Sequence, residues 1–211
     1  KEAIAMKQSY RYGWTNTQPT LAHSYLLPAI LSLLPPGKLK IIDIGSGNGY
    51  VTGRLSELGH EIIGIEPSED GIALARERYP HIRFIHKSIY DDYDYTNVWS
   101  GGADVVLTIE VIEHLYYPKL LLQRAFKILR PGGIIIVTCP YHGYLKNLAI
   151  SFLNKWDSHF EVAKDGGHIK FFSKRTLRAM VVEAEFCECR FYCVGRLPFL
   201  WKSMICSAIR P

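Results

Sequence analysis

The chain lacks any apolar run near the ~18 residues that a membrane-spanning helix needs. Its longest runs, Ala29 to Leu34 and Ile134 to Val137, are far shorter, so it does not read as an integral membrane protein. It also has no internal repeat, no low-complexity tract and no linker rich in Gly, Ser and Pro. Charge is nearly balanced, with 25 basic and 20 acidic residues and a net charge of +5. The eight basic and three acidic residues from Lys170 onward carry that whole excess. Cysteine is sparse and odd in number, at positions 139, 187, 189, 193 and 206. Zinc sites more often pair Cys-x-x-Cys units or add closely spaced histidines. The thiols therefore read as reduced, packed groups in a cytoplasmic setting. Cys187, Cys189 and Cys193 share one parity and would face one side of a strand. What is abundant is apolar residues, 48% of 211, which excludes a disordered chain and suits one globular domain.

Short β-branched runs alternate with helical patterns, the signature of βαβ units on a parallel sheet. Strands are expected at Leu39 to Ile44, Glu61 to Ile65, Ile82 to Ile85, Asp104 to Thr108 and Ile134 to Thr138. Ser68 caps one helix, Pro118 to Arg130 forms another that Pro131-Gly132-Gly133 stops, and Ser173 opens a third. Two stretches stand outside this alternation. Tyr10 to Pro28 is aromatic and polar, and Cys139 to Lys170 is far longer than a usual connection. In the latter, Leu145, Leu148, Ala149, Phe152, Leu153 and Trp156 lie at helical spacing.

The strongest local signal is Ile41-Ile42-Asp43-Ile44-Gly45-Ser46-Gly47-Asn48-Gly49, a buried strand running into a glycine-rich turn before a helix. Glycines admit positive φ and let a ligand approach main-chain N–H groups. The second strand ends at Glu66, 23 residues beyond Asp43, where an acid can accept both hydroxyls of a ribose. A nucleoside-bearing cofactor is implied. The third glycine comes one residue early for the dinucleotide fingerprint, which favours a ligand without a pyrophosphate.

The loop from Asp43 to Gly49, Glu66, the segment Asp104 to Glu110 and Leu129-Arg130-Pro131-Gly132-Gly133 together resemble the class I S-adenosylmethionine-dependent methyltransferases. The resemblance spans about residues 38 to 140. It implies an α/β, Rossmann-like fold: a seven-stranded, mostly parallel sheet with an antiparallel last strand and helices on both faces. It implies S-adenosylmethionine as cofactor, with Gly45, Ser46 and Gly47 along its methionine part, Glu66 on the ribose and Pro67 beside the adenine. Ser88 and Ile89 would lie along the adenine edge, where many relatives carry an acid. Asp43, Gly49, Thr108 and Ile109 complete the implied cofactor-binding set. Residues 1–211 then form one domain, with a cover at 1–37, a cofactor core at 38–138, a substrate lid at 139–170, and a C-terminal helix and strands at 171–211.

On a helical start, Glu110, Glu113 and His114 would share a face. His168 follows in Gly166-Gly167-His168-Ile169-Lys170-Phe171-Phe172. This arrangement is similar to the ubiquinone-biosynthesis O-methyltransferases, the nearer type. It is also similar to the small-RNA 2′-O-methyltransferases, in which such side chains hold a divalent cation. Transfer to oxygen needs a deprotonated hydroxyl, and a histidine base or a bound cation can supply that. His114, Glu110, Glu113 and His168 are the catalytic candidates, with a metal-free base preferred to a divalent metal. His142 and His159 read as surface residues.

The expected reaction is O-methylation of a small, fairly apolar acceptor. Tyr141, Tyr144, Phe152, Trp156 and Phe160 would line its site. A metal-assisted RNA 2′-O-methyltransferase and a non-catalytic, cofactor-binding partner subunit are the alternatives. With no appended RNA-binding module and a small charge excess, nucleic acid is disfavoured as a partner. Leu197 to Ile209 either touches a membrane surface peripherally or forms the last strand. The residues name no oligomeric state.

Overall fold

A computed structural model describes residues 10–160 and 166–211. The helices are α1 (Leu21–Leu31), α2 (Tyr50–Glu57), α3 (Glu69–Arg78), α4 (Pro118–Ile128), α5 (Tyr144–Phe152), α6 (Trp156–Phe160) and α7 (Lys174–Glu183). The strands are β1 (Lys40–Ile44), β2 (Glu61–Glu66), β3 (Arg83–His86), β4 (Ala103–Ile109), β5 (Leu129–Pro140), β6 (Cys187–Val194) and β7 (Ser203–Ile209). They form one sheet in the order β3-β2-β1-β4-β5-β7-β6. The first five run parallel, and β7 is antiparallel to both β5 and β6.

Both faces of the sheet are covered, which explains why its strands are apolar almost throughout. Successive residues point to opposite faces. Ile41, Val105, Leu107 and Ile136 pack with Leu26 and Ile30 of α1, Val51 and Leu55 of α2, and Ile72 and Ala75 of α3. Ile42, Ile63, Val106, Ile135 and Val137 pack with Leu121, Leu122 and Ala125 of α4 and Leu177 and Val181 of α7. Each such fully buried Ile or Leu contributes about 1.5–3 kcal/mol. The parallel strands send their C-terminal ends, and the connections that follow, to one edge of the sheet.

Three features depart from the sequence reading. The N-terminal stretch contains a helix, α1, with Pro28 inside it. The apolar face of Leu26 and Ile30 outweighs the backbone bond that proline removes. Pro131-Gly132-Gly133 does not end before the strand but belongs to β5, where Gly132 N donates to Arg210 O and Arg210 N to Gly133 O, at 2.8 and 2.9 Å. The shared face of Cys187, Cys189 and Cys193 is broken by a bulge. Glu188 takes φ +48°, the β6–β7 register shifts between Cys187 and Arg190, and Cys187 is exposed.

Of the stretch Leu197 to Ile209, the end is β7, while Leu197, Phe199 and Leu200 are exposed in the turn before it. No helix among the described residues is long and apolar enough to cross a membrane. Residues 1–9 of the expected cover and 161–165 of the expected lid lie outside the described residues.

Candidate active site

The glycine loop is fixed by strand β2. Gly45 N and Ser46 N both donate to Ile65 O, at 2.7 and 3.1 Å. Gly47 N donates to Glu66 Oε2 at 2.7 Å, while Ser68 N and Oγ donate to Glu66 Oε1 at 2.9 and 2.5 Å. Glu66 thus ties the loop to the start of α3, a role its spacing alone does not disclose. Burial pushes its carboxyl up, against the pull of these donors. Asp43 is likewise buried and accepts from Thr52 Oγ1 at 2.7 Å; burial raises its pKa to about 6. Two buried hydroxyls at these strand ends, Ser46 Oγ and Thr108 Oγ1, have no hydrogen-bond partner among the described residues.

A segment that sequence reasoning left vague lies across this loop. Glu69 N donates to Tyr10 O at 2.9 Å, and the Asp70 carboxylate accepts from Tyr12 N, Gly13 N and Trp14 N at 3.1, 2.6 and 2.6 Å. Burial pushes the Asp70 carboxyl up, but these donors and Gly71 N outweigh it and hold the group below its ordinary value. Asn48 Nδ2 donates to Asn16 O and Gln18 O, at 2.8 and 3.0 Å. The Trp14 indole packs on Gly47, whose φ is +54°; a Cβ there would meet the ring at 2.5 Å. In the sequence, Asp70 reads only as an acid favoured by the helix dipole. Its partners lie 56 to 58 residues away, beyond any local pattern.

The remaining cofactor candidates occupy the same sheet edge. Pro67 O accepts from His86 Nε2 at 3.0 Å. Ser88 N donates to Asp91 Oδ2 at 2.9 Å, its carbonyl accepts from Tyr95 Oη at 2.7 Å, and Ile89 is buried in the core. Gly49, with φ +77°, caps α2, and Ile109 ends β4 half-buried.

After β4 the chain turns sharply, and not as a regular helix. Glu110 takes φ +52°, and a single 3₁₀ turn covers Ile112–His114. The expected shared face of Glu110, Glu113 and His114 therefore does not form. Glu110 turns toward β5: its N–H donates to Thr138 Oγ1 at 3.0 Å, and that hydroxyl donates to Glu110 Oε1 at 2.9 Å. Burial raises the Glu110 pKa to about 7, opposed by hydrogen bonds from Thr138 and Ser203 and by the charge of Lys146.

Glu113, His114 and His168 do come together. Their ligand atoms lie within 4.8 Å of one another, and the two imidazole centroids are 4.9 Å apart. Glu113 Oε1 is 3.9 Å from Nε2 of both histidines. The Glu113 side chain is fully buried, and neither carboxylate oxygen has a hydrogen-bond partner among the described residues. Burial first, and the Glu110 charge second, push its carboxyl well above the ordinary range. His114 Nδ1 lies 2.7 and 3.1 Å from Gly166 O and Gly167 O. Carbonyl oxygens only accept, so Nδ1 carries the proton and the lone pair of the neutral ring sits on Nε2. Ile169 N and Lys170 N both donate to Glu113 O, at 3.0 and 2.9 Å. The edge of Tyr12 reaches His114 at a centroid distance of 5.8 Å, which joins the N-terminal segment to this cluster.

Beyond β5, a cavity of about 340 Å³ is lined by Tyr141, His142, Tyr144, Lys174, Phe199 and Trp201. His142, read from sequence as a surface residue, stacks on Phe160 at 5.9 Å and meets Phe171 edge-on at 5.1 Å. Burial lowers its pKa to about 4. The aromatic lining expected of α5 and α6 forms only in part. Among the described residues, Tyr144 and Phe152 are 79% and 87% exposed.

The chain matches a family model described as a methyltransferase domain over residues 19–187. It is similar to the ubiquinone biosynthesis O-methyltransferase of Bradyrhizobium diazoefficiens, at 36% identity over 48% of this chain and 40% of that protein. It is similar also to the mitochondrial enzyme of that name from Mus musculus, at 31% identity over 49% and 30%. These matches thus span well under half the length of those relatives. Among solved structures, a SAM-dependent methyltransferase from Thermotoga maritima superposes with TM-score 0.66 at 20% identity, over 88% of this chain and 87% of that one. The Haemonchus contortus phosphoethanolamine N-methyltransferase 2 complex with S-adenosyl-L-methionine gives TM-score 0.66 at 17% identity, over 87% and 52%. These structural likenesses bear on the fold. The family match covers most of the chain and agrees with the strand order and the glycine loop: the protein belongs to the class I S-adenosylmethionine-dependent methyltransferases.

Proposed function

We propose that this chain methylates a hydroxyl of a small, fairly apolar acceptor at the Glu113, His114 and His168 cluster. The observation that carries the proposal is the His114 ring, held by Gly166 and Gly167 carbonyls with its Nε2 lone pair on the side of Glu113 and His168. When bound, S-adenosylmethionine supplies an electrophilic methyl group. The residues present fit it: Gly45, Ser46 and Gly47 offer a close main-chain approach, Glu66 a carboxylate for the ribose, and Ser46 Oγ and Thr108 Oγ1 unpaired buried hydroxyls. Asp43 and Gly49 shape the loop from below, while Pro67, Ser88, Ile89 and Ile109 border the adenine and methionine ends. Tyr12 and Trp14 exclude water from above. With the cofactor bound, His114 Nε2 would take the acceptor hydroxyl's proton as the methyl group passes from the sulfonium sulfur to that oxygen. The Nδ1–H bond to Gly166 O orients the ring and supports the imidazolium that forms. Glu110, anchored on Thr138, raises the negative potential around the cluster. The aromatic lining of Tyr141, Phe199 and Trp201 suits an apolar ring or chain, and the similarity to ubiquinone biosynthesis O-methyltransferases supports transfer to oxygen.

One observation favours a second route to the same product. A fully buried carboxyl group whose oxygens have no hydrogen-bond partner among the described residues, beside two imidazoles, is a donor set that suits a divalent cation such as Mn²⁺. Glu113, His114 and His168 would hold it, and it would lower the pKa of the acceptor hydroxyl. Radiolabelled S-adenosylmethionine and a panel of catechols, phenols, amines and short RNA decide the acceptor. Transfer to phenolic oxygen, falling about 10²–10⁴-fold in His114→Ala, is expected. Transfer to amines or RNA alone would overturn the reading. Thermal unfolding with Mn²⁺ separates the routes. A stabilisation that is lost in Glu113→Gln, together with activity that chelator abolishes, would establish the cation. Activity that survives chelation would establish the free base.

A further inference from the structure

We propose that Cys189 and Cys206 form an oxidisable dithiol that closes, on exposure to a peroxide, to a disulfide across the β6–β7 pair. The two sulfurs lie 3.2 Å apart on neighbouring strands. The bulge between Cys187 and Arg190 creates this approach. It moves Cys189 diagonal to Cys206, whose direct partner is Phe191. A disulfide bond of about 2.05 Å then requires the sulfurs to close by roughly an ångström.

The two thiols divide the roles that oxidation needs. Cys189 is half-buried on the outer strand and accessible to a small oxidant, whereas Cys206 is fully buried beneath it. The Cys206 sulfur is in hydrogen-bond contact with that of Cys189, and Arg178 of α7 adds a positive charge nearby. Together they hold the Cys189 thiol below its ordinary value, at about 7, against the opposing effect of burial. The same pairing holds Cys206 protonated until its partner has reacted. An attacking thiol with a pKa near ambient pH combines a good thiolate fraction with retained nucleophilicity.

Atoms and electrons balance in two steps. The Cys189 thiolate attacks one peroxide oxygen, the O–O bond breaks, and hydroxide leaves with a sulfenic acid on Cys189. The Cys206 thiol gives its proton to that hydroxide, and its thiolate displaces the sulfenic oxygen as a second hydroxide, which takes up the proton released when Cys189 ionised. Two thiols are oxidised, and one peroxide is reduced to two waters. Cys139 and Cys193 are also diagonal to Cys206 in the register, but among the described residues only the Cys189 and Cys206 sulfurs make a hydrogen-bond contact. Cys139 and Cys193 both register with Met204, so strand β7 lies between them and holds them about two strand spacings, roughly 9–10 Å, apart. Cys187 sits opposite Ile209.

The staple would lie within the β6–β7 hairpin, beyond the pairs Val194–Ser203, Cys193–Met204 and Tyr192–Ile205 that separate Cys206 from the 195–202 turn.

The reduced protein is treated with hydrogen peroxide, then alkylated, weighed intact and mapped by peptide mass. The expected result is loss of two hydrogens, two fewer alkylated thiols, and one cross-linked peptide pair joining Cys189 to Cys206, reversed by dithiothreitol. Cys189→Ser should give no cross-link, and Cys206→Ser should leave a Cys189 sulfenic acid that dimedone traps. Oxygen addition without a cross-link in the unmodified protein would overturn the proposal. So would cross-linking through Cys187 or between two chains. Mapping of the unmodified protein decides the matter even if Cys206→Ser, buried as it is, does not fold.

Discussion

The cofactor side and the acceptor side of this molecule are built on opposite terms. Around the glycine loop the polar groups are largely engaged within the chain: Glu66 accepts three hydrogen bonds, Asp70 accepts three from the N-terminal segment, and Asn48 donates two. Beyond β5, by contrast, α5 presents Tyr144, Leu148 and Phe152 to solvent, and the 195–202 turn presents Leu197 and Phe199. A site that must take one invariant ligand gains from being organised in advance, because ordering is then complete before binding. A surface left apolar and open instead defers part of its burial until an acceptor or another surface covers it.

The largest effect expected on this contrast concerns Asp43. Its folded pKa of about 6 lies above the unfolded 3.8, so the folded chain holds the proton more tightly. The resulting stability is complete below about pH 3.8 and is lost as pH rises through about 6. Asp43→Asn should remove up to about 3 kcal/mol of this decline, read by urea unfolding at pH 4 and pH 7. An unchanged slope would mean that the buried acid is not strained. Next, Glu66→Ala should weaken S-adenosylmethionine binding by about 2 kcal/mol, measured by calorimetry, since it both frees Gly47 N and removes the ribose acceptor. Undiminished affinity would break the claim that the loop is prearranged by Glu66. Smaller again, Asp70→Ala should cost about 1 kcal/mol in cofactor affinity by releasing Tyr12, Gly13 and Trp14. The paired substitution Phe152→Ser, on the open side, should leave cofactor affinity within about 0.5 kcal/mol. Equal losses in these two variants would dissolve the distinction between the two regions.

Much of the cofactor side is legible in the sequence because its signals are local. Apolar β-branched runs mark β1, β2 and β4, and the Asp43 to Gly49 turn together with Glu66 marks the loop at the strand ends. The resemblance implies the N-terminal cover, but its anchoring is not legible, since Asp70 acts on residues far away in the chain and Pro28 argues against the helix that tertiary packing nonetheless builds. The Glu-x-x-Glu-His pattern discloses which residues matter but misplaces one. A helical wheel assumes continuous αR backbone, and the positive φ of Glu110 turns that side chain to Thr138 instead. His168 completes the cluster through main-chain bonds between Glu113 and residues 169 and 170, which no spacing rule anticipates. The α5 aromatics illustrate the converse case. Periodicity finds the helix, but amphipathicity does not say whether a partner covers its apolar face.

Those main-chain bonds have a consequence for how such a protein can change. Glu113 O holds Ile169 N and Lys170 N, and His114 Nδ1 holds Gly166 O, so the long excursion leaves the sheet at Pro140 and returns beside the Ile112–His114 turn. Loop closure costs only about 0.6 kcal/mol more for each doubling of length. The connection between these two anchors should therefore accept changes of length while the His114 imidazole keeps its place.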